Sequence, residues 1–215
     1  MKEWGKSMKY THIVFDIDGT LTDSEYAAIV SLQDMVRQWK GKEYAYEELK
    51  FALGITGADA LGRLSFAPEE IGPAMSDWEV GLRRHNAEIT VFEGADELLS
   101  ALKEMGCSLG IVTSKTRDQF DKDFCRFDVA KYFGESITAD DSADHKPTAG
   151  PLLKYMELTG AKREEVLYIG DSEYDSGTAH NAGIDFALAT WGAMNQATPA
   201  QYRPESLIGV LDIVR

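Results

Sequence analysis

Two aspartates separated by one residue, Asp16 and Asp18, stand with Gly19 and Thr20 directly after the apolar run Thr11–Phe15. Along extended backbone alternate side chains share a side, so both carboxylates can face one reacting group. Taken alone, the segment also reads as a turn rich in Asp and Gly after a strand. A calcium loop of the EF-hand type is excluded by spacing, because Gly is the fourth residue and Ala27 the twelfth, where that loop needs Gly sixth and Glu twelfth. Three further clusters follow comparable runs. Thr113-Ser114-Lys115 comes after Ser108–Val112, Lys146-Pro147 comes beyond Ser136–Ala139, and Gly170-Asp171-Ser172-Glu173-Tyr174-Asp175 comes after Val166–Ile169. Carboxylates, a lysine and hydroxyl or backbone donors together suit a hard cation and a phosphoryl group.

Other chemistries find less support. The chain holds four histidines and no Gly-x-Ser-x-Gly sequence, which leaves a Ser-His-Asp hydrolase without a basis. A Gly-x-x-x-x-Gly-Lys-Ser/Thr phosphate loop is also absent. Cys107 and Cys125, the two cysteines, have no zinc-type spacing and read as buried reduced thiols. His12 reads as structural, His180 as a surface or supporting residue, and the acidic stretch Asp140, Asp141, Asp144 and His145 as a solvated loop. The net charge of -14 disfavours nucleic acid and anionic membranes as partners, so a bound anion needs a local metal ion, lysine or helix N-terminus. The charged start and the lack of a long apolar run predict a cytoplasmic protein without a membrane span.

The elements that must position these clusters are legible as a rhythm. Short, non-alternating runs rich in Val, Ile and Phe alternate with helical stretches at Ala95–Met105, Thr116–Phe124, Pro151–Thr159 and Gly177–Ala182. Such runs are buried parallel strands, and their alternation with helices predicts an α/β fold with a doubly wound parallel sheet. In that architecture ligands bind outside the carboxyl ends of the strands, where all four clusters fall. The interval between the first and second runs is too long for one crossover helix. Ala28, Leu32, Met35, Val36 and Trp39 recur at helical spacing within it, and further helical patches follow near 46–53 and 68–87. The expected division is a core of residues 1–23 and 93–215 with an inserted all-helical cap of residues 24–92. Within the cap, Thr56 and Gly57 form a turn that could contact a substrate, Trp39 and Trp78 read as cap core, and Arg83-Arg84-His85 as an exposed helix face.

The four clusters, in this order and at strand ends, resemble the haloacid dehalogenase (HAD) superfamily over essentially the whole chain. The matching residues are Asp16–Thr20, Thr113, Lys146 and Gly170–Asp175, and the insert resembles the helical cap of its phosphoglycolate phosphatase and β-phosphoglucomutase-like members. The resemblance implies a Rossmann-like core and a Mg²⁺-dependent phosphohydrolase acting on a small phosphorylated metabolite, as a monomer or homodimer. Asp16 would be the nucleophile that forms an aspartyl phosphate and Asp18 the acid–base. Thr113, Ser114 and Lys146 would bind the phosphoryl group. Mg²⁺ would lie between Asp16, Asp171 and the backbone carbonyl of Asp18, with Asp175 orienting Lys146 or the outer metal shell. Many relatives read Lys-Pro-x-Pro where this chain has Lys146-Pro147-Thr148-Ala149, which leaves the lysine intact. Asp18 argues against dehalogenation, which needs no acid there, and Thr20 leans away from a phosphosugar mutase. The mutase and a non-catalytic binding protein on the same fold stand as the alternatives.

Overall fold

The computed structural model describes residues 8–214. Seven strands run through it: β1 (His12–Phe15), β2 (Thr22–Asp23), β3 (Thr90–Val91), β4 (Ser108–Val112), β5 (Glu135–Ile137), β6 (Val166–Gly170) and β7 (Asp185–Leu188). Five form a parallel sheet in the order β5-β4-β1-β6-β7, so the α/β, doubly wound expectation holds. β1 is central. Phe15 lies level with Ile111 of β4 and Ile169 of β6, so the chain leaves all three strands at nearly one height. Asp16, Thr113 and Asp171 are the next residues out.

The central strands are buried on both faces, which is why their sequences run apolar without alternation. Ile13, Phe15, Leu109, Ile111, Leu167 and Ile169 pack on one face with Leu98, Leu99 and Leu102 of the helix Ala95–Glu104. Val14, Val112 and Tyr168 pack on the other with Leu152, Tyr155 and Ala179. The helices are α1 (Glu25–Lys40), α2 (Tyr46–Leu49), α3 (Gly57–Arg63), α4 (Pro68–Arg84), α5 (Ala95–Glu104), α6 (Arg117–Gln119), α7 (Gly150–Thr159), α8 (Glu173–Ala182) and α9 (Leu211–Val214). None of them is long and apolar enough to cross a membrane.

α1 to α4 all lie between β2 and β3, which pair antiparallel with Thr22 level with Val91 and Asp23 with Thr90. These helices share a hydrophobic cluster of their own, formed by Ile29, Leu32, Met35, Val36, Leu49, Leu61 and Phe66 among others. Burying an aliphatic side chain of this size contributes about 1.5–3 kcal/mol, so the cluster has a substantial core of its own.

Two local expectations are corrected. α8 begins at Glu173, four residues before the predicted Gly177, because Ser172 caps it: its hydroxyl accepts from the Asp175 N–H at 3.2 Å, while the Asp175 carboxylate accepts from the Ser172 N–H at 3.1 Å. Cys125 is exposed, whereas Cys107 is buried as expected. The stretch after α6 winds as a π-turn, Phe120–Phe124, that sends Phe120 and Phe124 inward and leaves the next residue outside.

Candidate active site

Asp16 leaves β1 into a chain reversal, with the N–H groups of Thr20, Leu21 and Thr22 all reaching back to the Ile17 carbonyl. Gly19 makes the reversal possible. Its φ is +74°, and the Asp171 carboxylate lies where a β-carbon would stand. The loop after β7 closes the other side. Gly192 sits so near the Gly19 carbonyl that a β-carbon there would overlap it, and the Trp191 indole N–H donates to the Thr20 carbonyl at 2.9 Å.

The buried Asp16, Asp171 and Asp175 offer carboxylate oxygens that all lie within 4.8 Å of one another. The Lys146 ammonium reaches Asp16 Oδ1 at 3.0 Å and Asp175 Oδ1 at 2.7 Å. The Tyr168 hydroxyl also donates to Asp175 Oδ1, at 2.7 Å. Burial pushes the Asp16 carboxyl up to about 7 against the pull of Lys146. It lifts Asp171 well above the ordinary range, aided by the charges of Asp175 and Asp16. Burial works against the Lys146 ammonium, but Asp16 and Asp175 outweigh it and raise its pKa. Three buried carboxylates face one ammonium here. A site made only of hard oxygens, with surplus negative charge, fits a divalent cation of the Mg²⁺ class.

Asp18 points elsewhere. Its Oδ1 accepts from the Ser24 hydroxyl at 2.6 Å and its Oδ2 pairs with the Lys115 ammonium at 2.9 Å, so its carboxylate is outside the acidic cluster. Thr113 is buried, and its hydroxyl accepts from the Lys115 N–H at 3.2 Å. The Ser114 hydroxyl donates to the Gly54 carbonyl at 3.0 Å, joining the end of β4 to the loop before α3. Thr56 and Gly57 part company. Thr56 caps α3, accepting from Asp59 N–H at 3.1 Å and donating to its carboxylate at 2.6 Å, while Gly57 lines the cavity. Asp175 serves α8 and Lys146 at once.

Asp16, Asp18, Thr113 and Ser114 form the floor of a cavity of about 120 Å³, and residues of α1, α4 and the loop before α3 form its roof. Arg83 and Arg84 are exposed and outside its lining, and His180 is on the surface. His12 bonds Tyr155 at 3.1 Å, a structural contact. Trp39 packs on Phe66 within the helical layer, but Trp78 lines the cavity as well as packing there. Asp140 and Asp141 are exposed, as expected of a solvated loop, with Asp141 paired to Arg117 at 2.6 Å.

Three residues of the site, Lys115, Tyr168 and Ser24, have no role assigned from sequence, although Lys115 stands in the cluster after β4. Lys115 stands beside Thr113 in the chain, and a lysine in a strand-to-helix loop is the signal that was available. Tyr168 is a phenol within a buried strand, where its hydroxyl must find a partner. Ser24 gave no signal.

Comparison with known proteins agrees with this geometry. The profile of the haloacid dehalogenase-like hydrolase family matches residues 13–189. A protein of Caldanaerobacter subterraneus subsp. tengcongensis put forward as the pyrophosphatase PpaX is 30% identical over 209 residues, covering 94% of this chain and 91% of its own. The pyrophosphatase PpaX of Halalkalibacterium halodurans is 28% identical over 212 residues, covering 96% and 98%. The crystal structure of a Lactobacillus plantarum protein put forward as a phosphoglycolate phosphatase superposes with a TM-score of 0.86 at 28% identity, covering 96% of this chain and 100% of that one. With a family match across most of its length, a parallel sheet that gathers Asp16, Lys146, Asp171 and Asp175, and relatives that cover it nearly end to end, this chain belongs to the haloacid dehalogenase-like hydrolases.

Proposed function

We propose that the protein hydrolyses a small phosphorylated metabolite through a phosphorylated Asp16, in a site that takes Mg²⁺. The observation that carries this reading is the Asp16 carboxylate, buried at the end of the central strand with the Lys146 ammonium 3.0 Å away and Asp18 two residues on. An Asp16 oxygen attacks phosphorus as the ester P–O bond breaks, and protonated Asp18 gives its proton to the leaving oxygen. Asp18, now ionised, takes a proton from water as that water attacks phosphorus. The bond from phosphorus to Asp16 then breaks, inorganic phosphate leaves, and both carboxyls return to their starting states. Lys146 answers the negative charge on the phosphoryl oxygens, and Thr113 with the Ser114 N–H positions them. Asp16, Asp171 and the Asp18 carbonyl would hold the cation, with Asp175 orienting Lys146. Bound there, the cation supplies positive charge that offsets repulsion between the nucleophile and the phosphoryl group.

Lys115 and Ser24 act through Asp18. An ammonium and a hydroxyl on its two oxygens hold the acid–base group at the cavity rather than among the buried carboxylates. In this reading residues 24–92 serve as a lid over a core of residues 1–23 and 93–215, excluding water from the first step. The test is phosphate release from p-nitrophenyl phosphate with Mg²⁺, with EDTA, and in Asp16→Asn. Release that needs both Mg²⁺ and Asp16 is expected, with Asp16→Asn reduced at least ~1,000-fold, as loss of a covalent nucleophile entails. Turnover by Asp16→Asn close to wild type would reject the assignment.

A further inference from the structure

The lining of the cavity carries charged groups beyond the proposed nucleophile. Besides Asp16, the charged residues that line it are Asp18, Glu79, Asp123 and Lys115, three carboxylates to one ammonium. Lys115 is already committed to Asp18 at 2.9 Å. The Asp123 carboxylate takes part in no ion pair or hydrogen bond among the described residues, although it is partly buried, and its main-chain carbonyl accepts from Arg126 Nε at 3.0 Å. Glu79 accepts from the Gln119 amide at 3.0 Å, and its nearest cation, the exposed Arg83, stands 3.9 Å away outside the lining. Trp78, Phe124 and Phe127 line the same cavity. The indole of Trp78 is fixed by donation to the Ser31 hydroxyl at 3.0 Å.

A leaving group that carries a carboxylate or a second phosphate would meet this lining with the wrong sign. Among the described residues no lysine or arginine lines the cavity that is not already paired, and like charges brought together in a partly desolvated space are strongly disfavoured. Aromatic rings with nearby carboxylates instead favour an ammonium, through ring quadrupoles and direct ion pairing. Resting on the hydrolase reading above, we propose that Asp123 and Glu79, with Trp78, select phosphomonoesters whose leaving group carries an ammonium, the class of phosphorylated amino alcohols. The selection sets this chain apart from the pyrophosphate and phosphoglycolate in the names of its relatives.

The experiment compares kcat/KM for O-phosphoethanolamine, glycerol phosphate, phosphoglycolate and pyrophosphate, in the wild type, Asp123→Asn and Glu79→Gln, all with Mg²⁺. The expected order is ammonium ester, then neutral ester, then the two anionic substrates, with about tenfold or more between first and last. Each variant should lower the ratio of ammonium ester to pyrophosphate by about tenfold, mostly through KM. Having two variants protects the test against one that fails to fold. Faster turnover of pyrophosphate or phosphoglycolate than of the ammonium ester, or a ratio unchanged in both variants, overturns the proposal. If p-nitrophenyl phosphate and all four compounds are inert, the hydrolase reading itself fails. Calorimetric titration of Asp16→Asn then decides the selection separately. Tighter binding of O-phosphoethanolamine than of pyrophosphate upholds it, and the reverse order overturns it.

Discussion

A single lysine on the floor of the site answers several acids at once. Lys146 pairs with Asp16 and Asp175, and Tyr168 shares the second of these partners, so the ammonium has little freedom to leave. Roles of this kind were half legible in the sequence. Asp16, Asp18, Lys146 and Asp171 announce themselves by type and by position after apolar runs. The pairing of Lys115 with Asp18 does not, because it depends on β1 and β4 being neighbours in the sheet although far apart in the chain. Beneath the site, His12 makes a separate and testable contribution. Burial, opposed by the charge of Glu165, lowers its pKa below 6.5, and its ring bonds the Tyr155 hydroxyl in the neutral state. Above 6.5 the ring is neutral in both folded and unfolded chains. Below it the unfolded chain takes up the proton first, so stability falls as pH drops through this window. Thermal unfolding followed at pH 7.5 and about pH 5.5 should show this loss in the wild type and a smaller loss in His12→Phe. Equal losses in the two would remove His12 from the account.

At the scale of elements, the central strands β1, β4 and β6 were readable because burial on both faces writes an unbroken apolar run, whereas β5, Glu135-Ser136-Ile137, buries only its last residue. Helix starts were harder. The cluster Gly170–Asp175 stands out by its carboxylates, but Gly170 ends β6 and Ser172 with Asp175 forms the cap that begins α8. The same residues therefore end a strand, start a helix and supply the site. The close approach of the loop after β7 was invisible for a different reason, since it is set by backbone atoms. Gly192 admits no side chain, because the carbonyl of Gly19 occupies the space. Backbone cannot rotate aside as a side chain can, so Gly192→Ala should destabilise by about 1–3 kcal/mol. It should also lower kcat by more than tenfold, by displacing Gly19 from Asp171. Denaturant unfolding together with phosphate release tests both. A variant as stable and active as the wild type would show that the two loops yield without cost.

Over the whole molecule, a net charge of -14 surrounds a site that already concentrates buried carboxylates. The folded chain therefore carries an electrostatic cost at its centre that a cation relieves. Mg²⁺ should raise the thermal midpoint, by the equivalent of about 2.7 kcal/mol at one hundred times its dissociation constant. Asp171→Asn removes one of the like charges and should be more stable than the wild type in EDTA, yet gain little from Mg²⁺. Differential scanning calorimetry of both proteins with and without the ion is the measurement. An equal gain in both would place the cation elsewhere. The architecture separates this costly centre from the layer above it. Helices α1 to α4 leave and re-enter through β2 and β3, whose paired residues lie side by side. The long helical segment thus has its two ends stitched together at a single seam. Any other insert with adjoining ends could be sewn into the same seam without disturbing the sheet.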